Sequence, residues 1–224
     1  MSRPSQPIYE KIKNTLREKI ISEEIESGSR ITIQEIAKKY GVSQMPVREA
    51  LQWLQGEGLL KIIPHKGARV NRIDAQLIKN LYEIRGAIEM LLIKKSFSRI
   101  SEKELEDLEK KQEDLKKALD LNDLDQVLKM DREIHLSIYK YSRNNEAIEI
   151  YDKYSELLGA LRKKYGLGGN RKMEIIEQHR KIIKAIKEKD PDSIEVVIRS
   201  HNENAKKDLL LQMSLKNTRS VNAR

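Results

Sequence analysis

Apolar positions recur every three or four residues along most of this chain, the spacing of a helix face. Ile8, Ile12, Leu16 and Ile20 form the first stripe and predict a helix from about Gln6 to Ser27, with Gly28 as its stop. A second, short helix is predicted from about Ile33 to Tyr40. Thr32 and Glu35 have capping-box spacing before it, and Gly41 closes it. Ser43 heads a third helix, about Gln44 to Gly56, with Pro46 in the first turn, where a missing N–H costs little. Then the pattern changes. Two short apolar runs, Leu59 to Ile63 and Ala68 to Val70, flank Pro64-His65-Lys66-Gly67 and predict a hairpin with a basic tip. Helix, helix, glycine turn, helix, hairpin is the order of a winged helix-turn-helix, whose third helix enters the major groove of DNA.

Asn71 to Asp74 reads as a junction, and beyond it every segment is helical by period. Six helices are predicted at about 75–98, 102–120, 123–142, 145–165, 172–189 and 191–214. Ser101 and Glu104 form a second capping box, Asn122 and Asp190 are N-caps, and Gly166 to Asn170 is a loop. The expected fold is mainly α. A winged helix-turn-helix domain occupies residues 1–72, an all-α antiparallel bundle of about six helices residues 73–214, and a flexible tail residues 215–224.

Composition supports this and narrows the chemistry. Aromatics are only 4% and prolines five among 224 residues, which disfavours a β-sandwich. There is no cysteine, so disulfides, thiolate zinc sites and thiol nucleophiles are excluded. The longest apolar run, Met90 to Ile93, is far below the roughly 18 residues of a membrane span. The polar start, Met1 to Pro7, has no apolar stretch behind it, so a cytoplasmic protein without membrane partners is expected. The net charge is +9, and residues 1–72 carry 13 Lys/Arg against 8 Asp/Glu, making the N-terminal third the more basic per residue. A basic balance suits nucleic acid, although a lysine-rich surface alone would produce it.

The helical block holds a second chemistry. Asp131 and His135, four apart, interrupt the apolar stripe Leu124, Leu128, Ile138. His179 sits among Ile176, Ile183 and Ile186, and His201 among Ile194, Ile198, Ala205 and Leu209. Four polar groups thus point inward from three helices. One histidine on such a stripe is ordinarily a hydrogen-bonded core residue, but a shared metal would satisfy all four together. Three imidazoles and one carboxylate suit a divalent transition metal, Zn first and Ni, Mn, Fe or Co after it.

The stretch Gly41-Val42-Ser43-Gln44-Met45-Pro46-Val47-Arg48-Glu49-Ala50-Leu51, followed by Glu57-Gly58-Leu59 and the wing Pro64 to Val70, resembles the GntR family of bacterial transcriptional regulators. The resemblance implies that Ser43, Gln44 and Arg48 on the third helix, Gln34 on the second, and His65 and Lys66 at the wing face DNA. The family often carries Arg where Gln44 and Gln34 stand. Both departures remove a cation, so the family's operator sequence does not carry over; Gln reads adenine well. The C-terminal block resembles the all-α effector domain of the FadR-like branch, and its helix count leans toward the shorter VanR-like subgroup. Members with an Asp-x-x-x-His pair and two later histidines bind a divalent metal, a pattern matched by Asp131, His135, His179 and His201. The resemblance also places Arg85 near a small organic acid, with Asn202 and Tyr82 as weaker candidates; the alternative is a surface Arg85–Glu89 pair.

Together these features describe a DNA-binding repressor, a homodimer on a palindromic operator in double-stranded DNA, tuned by a small carboxylate at a metal-containing bundle, and not an enzyme. Two other readings stay open: a metal-dependent enzyme with a DNA-binding appendage, and a DNA-binding protein whose metal is purely structural.

Overall fold

The computed structural model describes residues 7–64 and 66–222, with side chains through residue 219, and divides into two compact units, Met1–Leu77 and Ile78–Arg224. In the first unit the order is α1 (Ile8–Ile21), β1 (Arg30–Ile31), α2 (Ile33–Tyr40), α3 (Gln44–Gly56), β2 (Leu60–Ile63) and β3 (Gly67–Val70). Ile12, Leu16 and Ile20 of α1 meet Val47, Ala50, Leu51 and Leu54 of α3 in one core, closed by Leu59, Leu60, Ala68 and Val70. This is a winged helix-turn-helix. The wing carries a strand that periodicity cannot detect: two-residue β1 pairs antiparallel with β3, so the sheet order is β1-β3-β2.

The first helix is shorter than its stripe predicts. It ends at Ile21, not near Ser27, because Glu23 turns to φ +67° and Ile25 N–H donates back to Lys19 O. The Thr32–Glu35 capping box forms as expected, and Gly41 caps α2 in the left-handed region. Buried Arg17 of α1 donates from Nε to Glu57 Oε2 at 2.9 Å, an ion pair beneath the helices that its one-turn-apart neighbours gave no sign of.

Gly67 is the one wing position that admits no side chain. Its φ is +85°, and a Cβ there would lie 2.3 Å from Ile31 O, the backbone of the strand it supports. Gly67→Ala is expected to destabilise this unit by at least about 1 kcal/mol. Urea unfolding followed at Trp53, the only tryptophan, would register it; an unchanged midpoint would contradict the account.

In the second unit, α4 (Ala75–Ser96), α5 (Glu102–Asp120), α6 (Leu124–Tyr139), α7 (Asn145–Tyr165), α8 (Gly169–Lys187) and α9 (Pro191–Asn222) form a helical bundle. α5 packs on α6 and α8, α7 on α6 and α9, and α8 on α9. The division between the units falls within the first turn of α4: residues 75–77 belong to the first unit, within which Leu77 Cδ1 lies close to Gly58. Three boundaries differ from expectation. Asp123, not Asn122, caps α6, since Asn122 takes φ +56°. The loop before α8 ends at Gly168, whose N–H donates to Asp208 Oδ1. α9 continues as helix to Asn222 where a flexible tail from 215 was expected: the extension contains neither Gly nor Pro, and Lys216 Nζ donates to Lys164 O. No helix among the described residues is long and apolar enough to cross a membrane.

Candidate functional site

Packing of α3 sets what it shows to solvent. With Val47, Ala50, Leu51 and Leu54 buried, Ser43, Gln44 and Arg48 stand on the exposed side, Ser43 at the N-cap and the other two one turn apart. Gln34 on α2 and Lys66 at the wing are also exposed, and His65 lies outside the described residues. Exposed Met45, between Gln44 and Pro46, and a cross-strand pair of cations, Arg30 and Arg69, were not among the residues expected to face DNA. Arg30 Nε donates to Lys66 O at 2.6 Å and Arg69 Nε to Gly28 O at 2.9 Å, tying the base of the wing.

The bundle brings together all four inward-pointing polar residues. Asp131 and His135 come from α6, His179 from α8 and His201 from α9, with candidate ligand atoms all within 4.8 Å of one another. The three imidazoles are fully buried, while Asp131 keeps about a quarter of its side chain accessible (26%).

Hydrogen bonds around the cluster decide which nitrogens face inward. Gln178 Oε1 can only accept; it takes Arg171 Nη1 at 2.7 Å and lies 3.0 Å from His201 Nδ1. His201 therefore carries its proton on Nδ1. Tyr139 gives its single proton to Glu89 Oε1 at 2.7 Å, so toward His135 Nδ1, 3.2 Å away, it can only accept. His135 carries its proton on Nδ1 too. Both Nε2 atoms are then bare lone pairs, 3.2 Å apart. A bridging proton is a poor remedy: burial depresses the His135 pKa to about 3 and holds His201 well below its ordinary value. His179 has no hydrogen bond at either nitrogen, although its Nε2 lies 3.3 Å from Asp131 Oδ1. Burial alone would raise Asp131, but His179, His135 and His201 outweigh it and keep the carboxylate ionised far below its usual range. Converging lone pairs, an orphaned imidazole and an ionised carboxylate fit a divalent cation, and outward N–H donation is how metal-binding histidines are held.

Arg85 is not on the surface. Arg85 and Glu89 are 6% and 0% exposed, with Arg85 Nη2 3.6 Å from Glu89 Oε1. Burial pushes Glu89 upward against the opposing pull of Arg85, and the Arg85 guanidinium lies over the Tyr151 ring at 5.3 Å. Asn202 is buried beside His201, donating from Nδ2 to Tyr82 O at 3.1 Å.

The comparisons with known proteins agree with this two-part architecture. The pattern of bacterial regulatory proteins of the gntR family matches residues 8–70, and that of the FCD domain matches residues 80–204, more than half the chain. The chain belongs to the GntR family. Among relatives of this GntR-family regulator, the HTH-type transcriptional regulator YdhC of Bacillus subtilis strain 168 is 27% identical over 196 residues, covering 87% of this chain and 88% of that one. The HTH-type transcriptional repressor RspR of Escherichia coli strain K12 is 26% identical over 198 residues, covering 88% and 87%. The solved structure of E. coli McbR/YncC shares the fold, with TM-score 0.70, 20% identity and coverage of 93% and 99%. The GntR-family chain is thus a DNA-binding transcriptional regulator whose FCD domain is its ligand-binding effector domain.

Sequence reasoning missed the groups that orient the cluster. Tyr139, one turn after His135, reads as a core aromatic, and Gln178 and Arg171 read as ordinary polar positions of α8. Glu89 appears only as a surface partner of Arg85. Its spacing from Tyr82 and Arg85, seven and four residues, was the available signal of a shared inward face.

Proposed function

We propose that Asp131, His135, His179 and His201 hold one divalent transition metal, zinc first among Zn, Ni, Mn, Fe and Co, and that a small carboxylate bound beside it retunes operator affinity. The carrying observation is the pair of bare Nε2 atoms 3.2 Å apart, a geometry that a shared cation relieves. When bound, the ion supplies a Lewis-acid point for a carboxylate. Arg85 would orient that carboxylate through its guanidinium, and Asn202 lies next to the ligand His201. On DNA, a homodimer sets two α3 helices in successive major grooves of a palindrome; Ser43, Gln44, Arg48 and Gln34 face the bases or phosphates, and Lys66 and the wing face the backbone. The effector shifts the dimer between spacings that do and do not match the half-sites, which changes operator affinity and gives regulation its switch. The cluster serves sensing, not turnover.

The test begins with metal content, measured on untagged protein purified without chelator. About one divalent ion per chain supports the site; no ion, and none taken up when offered, leaves the histidines as core polar groups. A screen of small carboxylates on metal-loaded protein bound to DNA follows. A purely structural metal is the second reading, favoured by a set of four protein ligands that can close a tetrahedron. It predicts full metal and no response to any acid.

The outward hydrogen bonds make a further prediction. Gln178→Leu removes the acceptor that fixes His201 and is expected to weaken metal binding about 10- to 100-fold. Competition against a chelator of known affinity would measure it. Unchanged affinity would mean that Gln178 does not position His201.

A further inference from the structure

Three buried polar atoms beside the cluster lack a hydrogen-bond partner: Arg85 Nε, Glu89 Oε2 and Asn202 Oδ1. The first is a donor and the others are acceptors. Tyr82, Arg85, Gly86 and Glu89 recur at three- and four-residue steps, so α4 carries them on one face. Asn202 lies on that face: its Nδ2 bonds Tyr82 O, and a Cβ at Gly86 would come within 2.4 Å of it. The face adjoins the metal cluster, since Glu89 Oε1 is 3.5 Å from His135 Nδ1 and Asn202 follows His201.

Glu89 is unusual beside a site proposed to take an anion. A buried carboxylate repels another carboxylate, and an oxygen left unpartnered there costs more than an ordinary lost hydrogen bond. Its Oε1 is occupied by the Tyr139 hydroxyl at 2.7 Å and approached by Arg85 at 3.6 Å; its Oε2 has no protein donor. The unpartnered acceptor and the unpartnered Arg85 donor belong to side chains 3.6 Å apart, so one small molecule with an acceptor and a donor on neighbouring atoms can satisfy both.

We propose that the effector carries a hydrogen-bond donor, a hydroxyl or an ammonium, on the carbon next to its carboxylate, and that Glu89 selects it. This rests on the carboxylate reading above. Arg85 takes the acid, Glu89 Oε2 takes the adjacent donor, and Asn202 Oδ1 takes a second donor further along the molecule. A keto acid of the same size sets lone pairs against Glu89, and an unsubstituted acid leaves Oε2 unpartnered; both are discriminated against because the site's own polar group is stranded.

The test titrates metal-loaded protein with matched acids of three to six carbons that differ only at the carbon next to the carboxylate: CH2, C=O, CHOH or CHNH3+. Binding is read by calorimetry and by loss of operator-DNA anisotropy, on wild type and on Glu89→Gln, whose amide keeps the shape and adds N–H donors. Wild type is expected to bind hydroxy or amino acids about 10- to 100-fold tighter than their keto partners. Glu89→Gln, compared at metal occupancy measured and matched to wild type, is expected to flatten or reverse that order. The hydroxy and amino arms identify the donor. Equal binding of keto and donor-bearing acids by wild type would overturn this inference while leaving the carboxylate reading in place. No binding in any series would overturn both.

Discussion

Replacing His179 by Leu is expected to abolish the metal-dependent part of this protein's thermal stability while leaving the chelator-treated protein at least as stable as wild type. The two halves have different causes. Without an ion, His179 buries Nδ1 with no partner and has only the Asp131 carboxylate, 3.3 Å from Nε2, on its other side; a stranded buried polar group costs about 1–3 kcal/mol. A leucine of similar bulk removes that cost and packs with Ile175, Ile182 and Ile183 on its own helix, which already face the core. With an ion, binding to the native state adds about 4 kcal/mol when free metal exceeds Kd a thousandfold, and the variant forfeits most of it. Melting curves of both proteins, with excess zinc and with chelator, would show wild type ahead in the first condition only. A histidine that serves only as a core polar group predicts the same difference in both conditions, and that result would remove the metal from the account. Asp131 does not confound the comparison, because its partly accessible carboxylate can be solvated when its neighbour is gone.

The contrast between what the sequence disclosed here and what it concealed has a physical basis. Asp131, His135, His179 and His201 were legible because each is a polar anomaly on an apolar stripe at helical spacing, where burial without a partner is expensive. Their orienting groups were not. Tyr139 is no anomaly among apolar residues, and Gln178 owes its importance to distance from a residue 23 positions away. The Arg85–Glu89 pair has the spacing of an ordinary exposed helix pair; only the packing of α4, which buries both ends of the pair, changes its meaning. In the first unit the helix order and the capping box at Thr32 were readable because they are local. β1 was not, because two residues hold no period and its existence depends on pairing Arg30 with Arg69 and Ile31 with Ala68 of distant β3. Helix ends failed where a turn used a non-glycine residue at positive φ, at Glu23 and Asn122, since sequence signals anticipate glycine there.

Replacing Arg48 by Ala is expected to reduce operator binding to the level of random DNA while leaving the fold intact. Arg48 is exposed on α3, one turn from Gln44, and its neighbours Val47, Ala50 and Leu51 supply the packing; Ala is a strong helix former. Unfolding free energy should therefore change by less than about 0.5 kcal/mol. On DNA, an arginine bidentate to a guanine edge contributes about 1–3 kcal/mol of discrimination. A homodimer loses the contact in both half-sites, which amounts to about 2–6 kcal/mol per operator, comparable with the roughly 4–10 kcal/mol that separates specific from non-specific binding. Lys66→Ala supplies the internal contrast. A phosphate contact carries no sequence information, so that variant, losing one contact in each half-site, should weaken operator and random DNA alike and lower the salt slope by about two. Anisotropy titrations of operator and scrambled duplexes across a salt series separate the two behaviours. Operator affinity unchanged in Arg48→Ala would take Arg48 out of the recognition surface. A loss shared equally by the scrambled duplex would move it from the bases to the phosphates, leaving Gln44 and Gln34 as the readers of sequence.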